Sequence, residues 1–108
     1  MAKAVEGKAV EITAGNVDNN HIPVSPIRDL FPADSFGGGN KSEAGKPITV
    51  ELHTVGSFET DIATGKWILR IRAKDAIGTF YKNINAKDGT RLFFEKIGPR
   101  DFRVSVIA

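Results

Sequence analysis

The chain has no cysteine, a single tryptophan, a single tyrosine and only two histidines in 108 residues. Without cysteine there is no disulfide, no thiol nucleophile and no cysteine-containing zinc site, so the zinc-based routes to nucleic acid are closed. His21 and His53 stand far apart, with no His, Asp or Glu at metal-ligand spacing, and are read as structural or solvent-facing. There is no Gly-x-Ser-x-Gly elbow and no cluster of acids with a lysine on paired strands, so no enzyme activity is expected. No apolar run approaches the roughly 20 residues of a membrane-spanning helix. Residues 1–8 lack the apolar core of a signal peptide. The expectation is a cytoplasmic chain with no membrane contact and no cofactor.

The length leaves room for one domain around one core. The net charge of +2 conceals an asymmetry. Residues 1–61 carry five basic and nine acidic side chains, net −4, whereas residues 62–108 carry ten basic and four acidic ones, net +6. A basic face of that size attracts polyanions, nucleic acid above all. The alternative is a solvated surface with its charges scattered over several faces.

Residues 1–19 are small, polar and weakly patterned, with Val10 to Thr13 as a short strand and residues 16–20 as a polar turn. They are read as an N-terminal segment ahead of a single domain over residues 20–108. Residues 21–24 suit an edge strand because they contain a proline. Ser25-Pro26 offers a helix start, and Pro32 keeps that helix short. The three glycines 37–39 open a loop that lasts to Pro47. Residues 48–53 alternate as a half-buried strand; residues 57–62 and 66–71 read as two more. Apolar residues at 76, 77, 80, 81 and 84 give helical spacing. Asn85 to Gly89 is a turn, and residues 90–96 and 100–107 close the chain as a hairpin. Strand, short helix, loop, strand, turn, strand therefore occurs twice, at an offset of about 45 residues. Such a pseudo-duplicate favours a small, mainly β barrel with two short helices, whose closure removes exposed edges.

Residues 37–42, Gly-Gly-Gly-Asn-Lys-Ser, do not make a phosphate loop. Ser35 stands where the first glycine is needed, Asn40 precedes the lysine, and no strand or helix pattern flanks them. A flexible loop carrying Asn40 and Lys41 remains, able to touch a nucleic-acid backbone. More informative is the basic cluster Lys66, Arg70, Arg72 and Lys74. In a strand, equal parity means a common face. Lys66, Arg70 and Arg72 would form an exposed row, extended by Lys74, with Trp67, Leu69 and Ile71 turned to the core. Phe80, Phe93 and Phe102 are assigned to the core as well.

The string from Gly65 to Arg72, the short helix with Phe80-Tyr81, Asn85 to Gly89, Leu92 to Pro99 and Phe102 to Ser105 resembles a known DNA-binding pseudobarrel. It is the fold shared by plant B-three transcription-factor domains and the effector-binding domains of some bacterial restriction endonucleases. Residues 21–24, 29–34, 60–62 and 95–99 are similar to fragments of bacterial relatives of that fold. The resemblance spans residues 20–106 and lies in the order of elements.

That resemblance implies a mainly β (α+β), seven-stranded open barrel with two short helices. It also implies non-catalytic binding of double-stranded DNA, gripped in the major groove by two arms. Carried over, one arm falls on residues 21–28, giving Asn20, His21 and Arg28 as candidate contacts. The other falls on residues 64–66, with Lys66, Arg70, Arg72 and Lys74 beside it. The chain departs from the plant pattern in its short second arm and its longer, glycine-rich loop. The resemblance further implies a bacterial source and association with a restriction or methyltransferase component. The chain is expected to be monomeric. A rival resemblance is to the swapped-hairpin barrels of bacterial transition-state regulators, echoed in Lys87-Asp-Gly89. On that reading the chain is a protein-interaction or assembly module without specific DNA binding.

Overall fold

The computed structural model describes residues 6–38, 41–71, 73 and 75–107. These residues form a mainly β fold with two α-helices, three 3₁₀ turns and eight strands in two sheets.

The chain begins with β1 (Glu6–Glu11) and α1 (Ala14–Asp18). The polar stretch expected as a turn becomes a helical turn because Thr13 and Asn16 cap it reciprocally. The Thr13 hydroxyl accepts from the Asn16 amide, and the Asn16 side chain accepts from the Thr13 amide. A 3₁₀ turn, Ser25–Leu30, follows. Phe31 leaves it in extended conformation, as the following Pro32 requires. β2 (Phe36–Gly37) leads into the loop, and β3 (Ile48–Leu52) and β4 (Gly56–Thr60) make an antiparallel hairpin. β5 (Ile62–Ala63) and β6 (Ile68–Leu69) are two residues each. Then come α2 (Ala76–Asn83), β7 (Arg91–Gly98) and β8 (Asp101–Val106).

The larger sheet has the order β1-β7-β8-β3-β4, and the smaller one β2-β5-β6. The two antiparallel hairpins, β3–β4 and β7–β8, stand at corresponding places in the repeat and meet through the parallel pair β3–β8. A two-fold relation between them would put β4 beside β7. That place is taken by β1, paired along its whole length with β7 from Glu6↔Lys96 to Glu11↔Arg91. The N-terminal segment is thus part of the domain: Val10 and Ile12 lie in the same core as Val50, Phe94 and Phe102.

Alternation holds where strands are long. Along β3, Ile48, Val50 and Leu52 are buried, and along β8, Phe102 and Val104. On α2 the helical spacing buries Ala76, Ile77, Phe80 and Tyr81. Phe31 packs on Phe102 and Phe94, with ring centroids 4.8 and 5.9 Å apart. Phe93 is a correction. On β7 its neighbours Leu92 and Phe94 point inward, so Phe93 lies half-exposed on the other face. There it covers Gly7 of β1, where a side chain would collide with its ring.

The strand expected over residues 57–62 is broken at Asp61, which separates β4 in one sheet from β5 in the other. Aspartate suits a pleated strand poorly. The strand expected over residues 66–71 shrinks to Ile68–Leu69. Residues 64–67 are instead a turn, in which Trp67 adopts a positive φ of 53°.

Candidate nucleic-acid interface

Three of the expected contact residues are not described, and a fourth is described only in its backbone. Asn40, Arg72 and Lys74 lie outside the described residues, as does the side chain of Lys41, whose backbone opens a 3₁₀ turn, Lys41–Glu43. Asn20, His21, Arg28, Lys66 and Arg70 are described, and they fall into three different settings.

Asn20 and His21 are anchored against α2. Asn20 has a positive φ of 54°, a conformation its short polar side chain tolerates. Its amide lies over Gly78, where a Cβ would come within 3.3 Å of Asn20 Nδ2. The His21 amide donates to Asn16 and its carbonyl accepts from the Tyr81 hydroxyl at 2.5 Å. Burial pushes the Tyr81 phenol well above its ordinary value.

Arg28 and Lys66 occupy a second setting, where two distant parts of the chain meet. The Val24 amide donates to the Trp67 carbonyl at 2.7 Å and the Leu69 amide to the Ile22 carbonyl at 3.1 Å, flanking an antiparallel bridge between Pro23 and Ile68. This junction pairs residues 22–24 with residues 67–69. The exposed Arg28 guanidinium stands over the Trp67 ring at 5.1 Å, and that ring makes a T-shaped contact with Phe36, the centroids 5.2 Å apart. Trp67 is thus a half-buried platform, not the core residue its parity suggested. A positive φ is rarely adopted by a bulky residue, and here the platform contacts hold it. Lys66, next in the chain, is exposed. Among the described residues neither Arg28 nor Lys66 takes part in a salt bridge, whereas Lys8, Arg100 and Arg103 are engaged with Asp29, Asp34 and the Glu51–Glu95 pair.

Arg70 is the third setting, and it overturns the expected exposed row. Its side chain is turned inward with 13% exposure and holds Asp61, itself 5% exposed, through Nη2–Oδ2 at 2.6 Å and Nε–Oδ1 at 3.0 Å. Nη1 donates to the Gly38 carbonyl at 2.5 Å, and Asp61 also accepts from the Gly45 amide at 2.8 Å. The hydrogen bond to Asp61 raises the Arg70 pKa above its already high ordinary value. Arg70 turns inward because residues 66–72 are not one continuous strand: among the described residues of that stretch only Ile68 and Leu69 are strand. Sequence reading also missed Asp61. Its one visible signal was a lone aspartate inside an otherwise alternating run.

Among the described residues no three His, Asp or Glu side chains gather as a metal-binding group, and no helix is long and apolar enough to cross a membrane.

No protein-family model matches the chain, and no curated protein is similar to it. A solved structure of a hypothetical Arabidopsis thaliana protein is similar over 100% of this chain and 96% of that one, with a TM-score of 0.54 and 17% identity. At that identity the likeness concerns the fold alone.

Proposed function

We propose that the chain is a non-catalytic, double-stranded DNA-binding domain whose two arms are residues 22–28 and 64–67, applied to the major groove. The observation that carries this reading is the junction between those segments. Residues 22–24 are hydrogen-bonded to residues 67–69, Arg28 stands over Trp67, and both Arg28 and Lys66, the chain neighbour of Trp67, are exposed. A guanidinium held over an aromatic ring loses less freedom when it grips a phosphate or a guanine edge. Lys66 supplies a hydrated point charge at the turn beside it. Trp67 is engaged by Phe36 and Arg28, which favours a duplex reader over a single-strand binder that stacks bases on free aromatic faces.

The test is a selection from a random duplex library at physiological salt, with a non-specific duplex as the reference. Arg28→Ala combined with Lys66→Ala is then expected to weaken duplex binding and to flatten its log–log salt slope by about 0.9 for each phosphate no longer neutralised. Unchanged affinity in the double variant refutes this interface. Wild-type binding that is weak, indifferent to sequence and abolished at moderate salt, alongside a stable protein partner, supports the assembly-module reading instead.

A further inference from the structure

We infer that Arg70 is a positioning residue which, through Asp61, sets the arm formed by residues 64–67, and that it is not itself a contact for a polyanion. β5 and β6 pair over two residues each, Ile62↔Leu69 and Ala63↔Ile68. A hairpin that short is marginal without help from outside. Its base is closed by Asp61 and Arg70: the Arg70 amide donates to the Asp61 carbonyl at 2.9 Å, and the two side chains form the forked ion pair across the same rung. A planar fork on a carboxylate fixes orientation as well as distance. The third arm of the guanidinium ties this base to Gly38, and the Thr64 amide and hydroxyl both donate to the Gly37 carbonyl, at 3.1 and 3.0 Å. The two strands of the hairpin are thus tied to one neighbouring segment. The approach is close enough that a Cβ on Gly37 would stand 2.6 Å from Asp61 Oδ2 and 2.8 Å from Arg70 Nη2. Beyond the pair the hairpin carries Lys66 and Trp67, and Trp67 in turn seats Arg28.

The consequence for duplex binding rests on the function proposed above; the positioning itself does not. Trp67 is the only tryptophan of the chain, so its fluorescence reports the arm directly. The experiment compares wild type with Asp61→Asn, Arg70→Lys and the two combined. It uses acrylamide quenching of Trp67, far-ultraviolet circular dichroism to confirm folding, and duplex affinity. Asp61→Asn is nearly isosteric, and Arg70→Lys keeps the charge while losing the fork. Both are expected to expose Trp67 to quencher and to weaken duplex binding by about three- to thirtyfold, with the combination no worse than either alone. The sign at Asp61 discriminates, because removing an acid from a polyanion binder tightens binding if Arg70 is a direct contact. Unaltered quenching in both variants, tighter binding by Asp61→Asn, or full binding by Arg70→Lys overturns the inference. If wild type binds no duplex, the proposed function fails, while the quenching still decides whether Arg70 positions the arm.

Discussion

Ile12→Ala tests the most consequential departure from the sequence reading, the place of the N-terminal segment. Ile12 is 0% exposed, its amide donates to Thr90 and its carbonyl accepts from Gly89, both at 2.9 Å. The substitution removes three buried carbons. At about 0.8 kcal/mol for each buried methylene, the transfer cost is about 2.4 kcal/mol. The cavity left in the core raises the total to about 3–4 kcal/mol. For a domain of this size that lowers Tm by about 10–15 °C. In urea the midpoint should fall with the slope unchanged, because the folded chain stays compact. Glu11→Ala, an exposed change one residue away on β1, is the control and should stay within about 0.5 kcal/mol. A loss below about 1 kcal/mol at Ile12 would mean that residues 6–12 lie beside a core they do not complete. Folding would then start near residue 20, as the polar composition of the segment suggested.

Two further outcomes follow from close packing and burial. Gly45→Ala would place a Cβ 2.5 Å from the carbonyl carbon and oxygen of Ser35. Backbone cannot yield there as a flexible side chain does, so about 1–3 kcal/mol should be lost in a urea titration; an unchanged midpoint would refute that approach. Tyr81 is the only tyrosine, so phenolate absorbance at alkaline pH reads it alone. Its pKa is raised by burial, so below about pH 10 the neutral phenol dominates in both states and its stabilisation is complete. Above that pH the unfolded chain ionises first, and stability falls as pH rises towards the folded value. Phenolate should appear together with unfolding; a separate titration near the ordinary value in folded protein would refute the burial.

Elements long enough to show their own periodicity were legible in the sequence. β3, β8 and α2 each bury the residues their spacing selects, because one face of each meets the core over several residues. β1 was missed as a full strand because alternation fades over Glu6 to Ala9, and partnership with β7 decides its conformation. The segment from Asp61 to Arg70 was misread for a related reason. A two-residue strand has no period, and an αL tryptophan in a turn leaves no compositional trace. What closes the base of that hairpin is a carboxylate and a guanidinium nine residues apart, meeting across a rung.

The charge asymmetry changes meaning in the same light. The basic excess of residues 62–108 suggested a binding face, yet three of those cations pair with acids of residues 1–61: Arg70 with Asp61 across one hairpin rung, Arg100 with Asp34 and Arg103 with Glu51. An acidic half and a basic half are also what two packed halves of one domain look like when their shared surface carries ion pairs. A tally along the chain cannot separate that from a polyanion site, because it counts cations without their neighbours. The separation comes from spatial placement. Arg70 is buried with its partner, and Arg100 also donates to the carbonyls of Pro47 and Lys46, so both are engaged within the fold. Arg28 belongs to the acidic half and was weighted little by the tally, yet it sits on Trp67 beside Lys66. The proposed interface therefore rests less on the number of positive charges than on one junction beside which two of them stay outside the salt bridges of the described residues. That is why removing Arg28 and Lys66 should matter more to duplex binding than removing Arg100 and Arg103, although each pair carries the same charge.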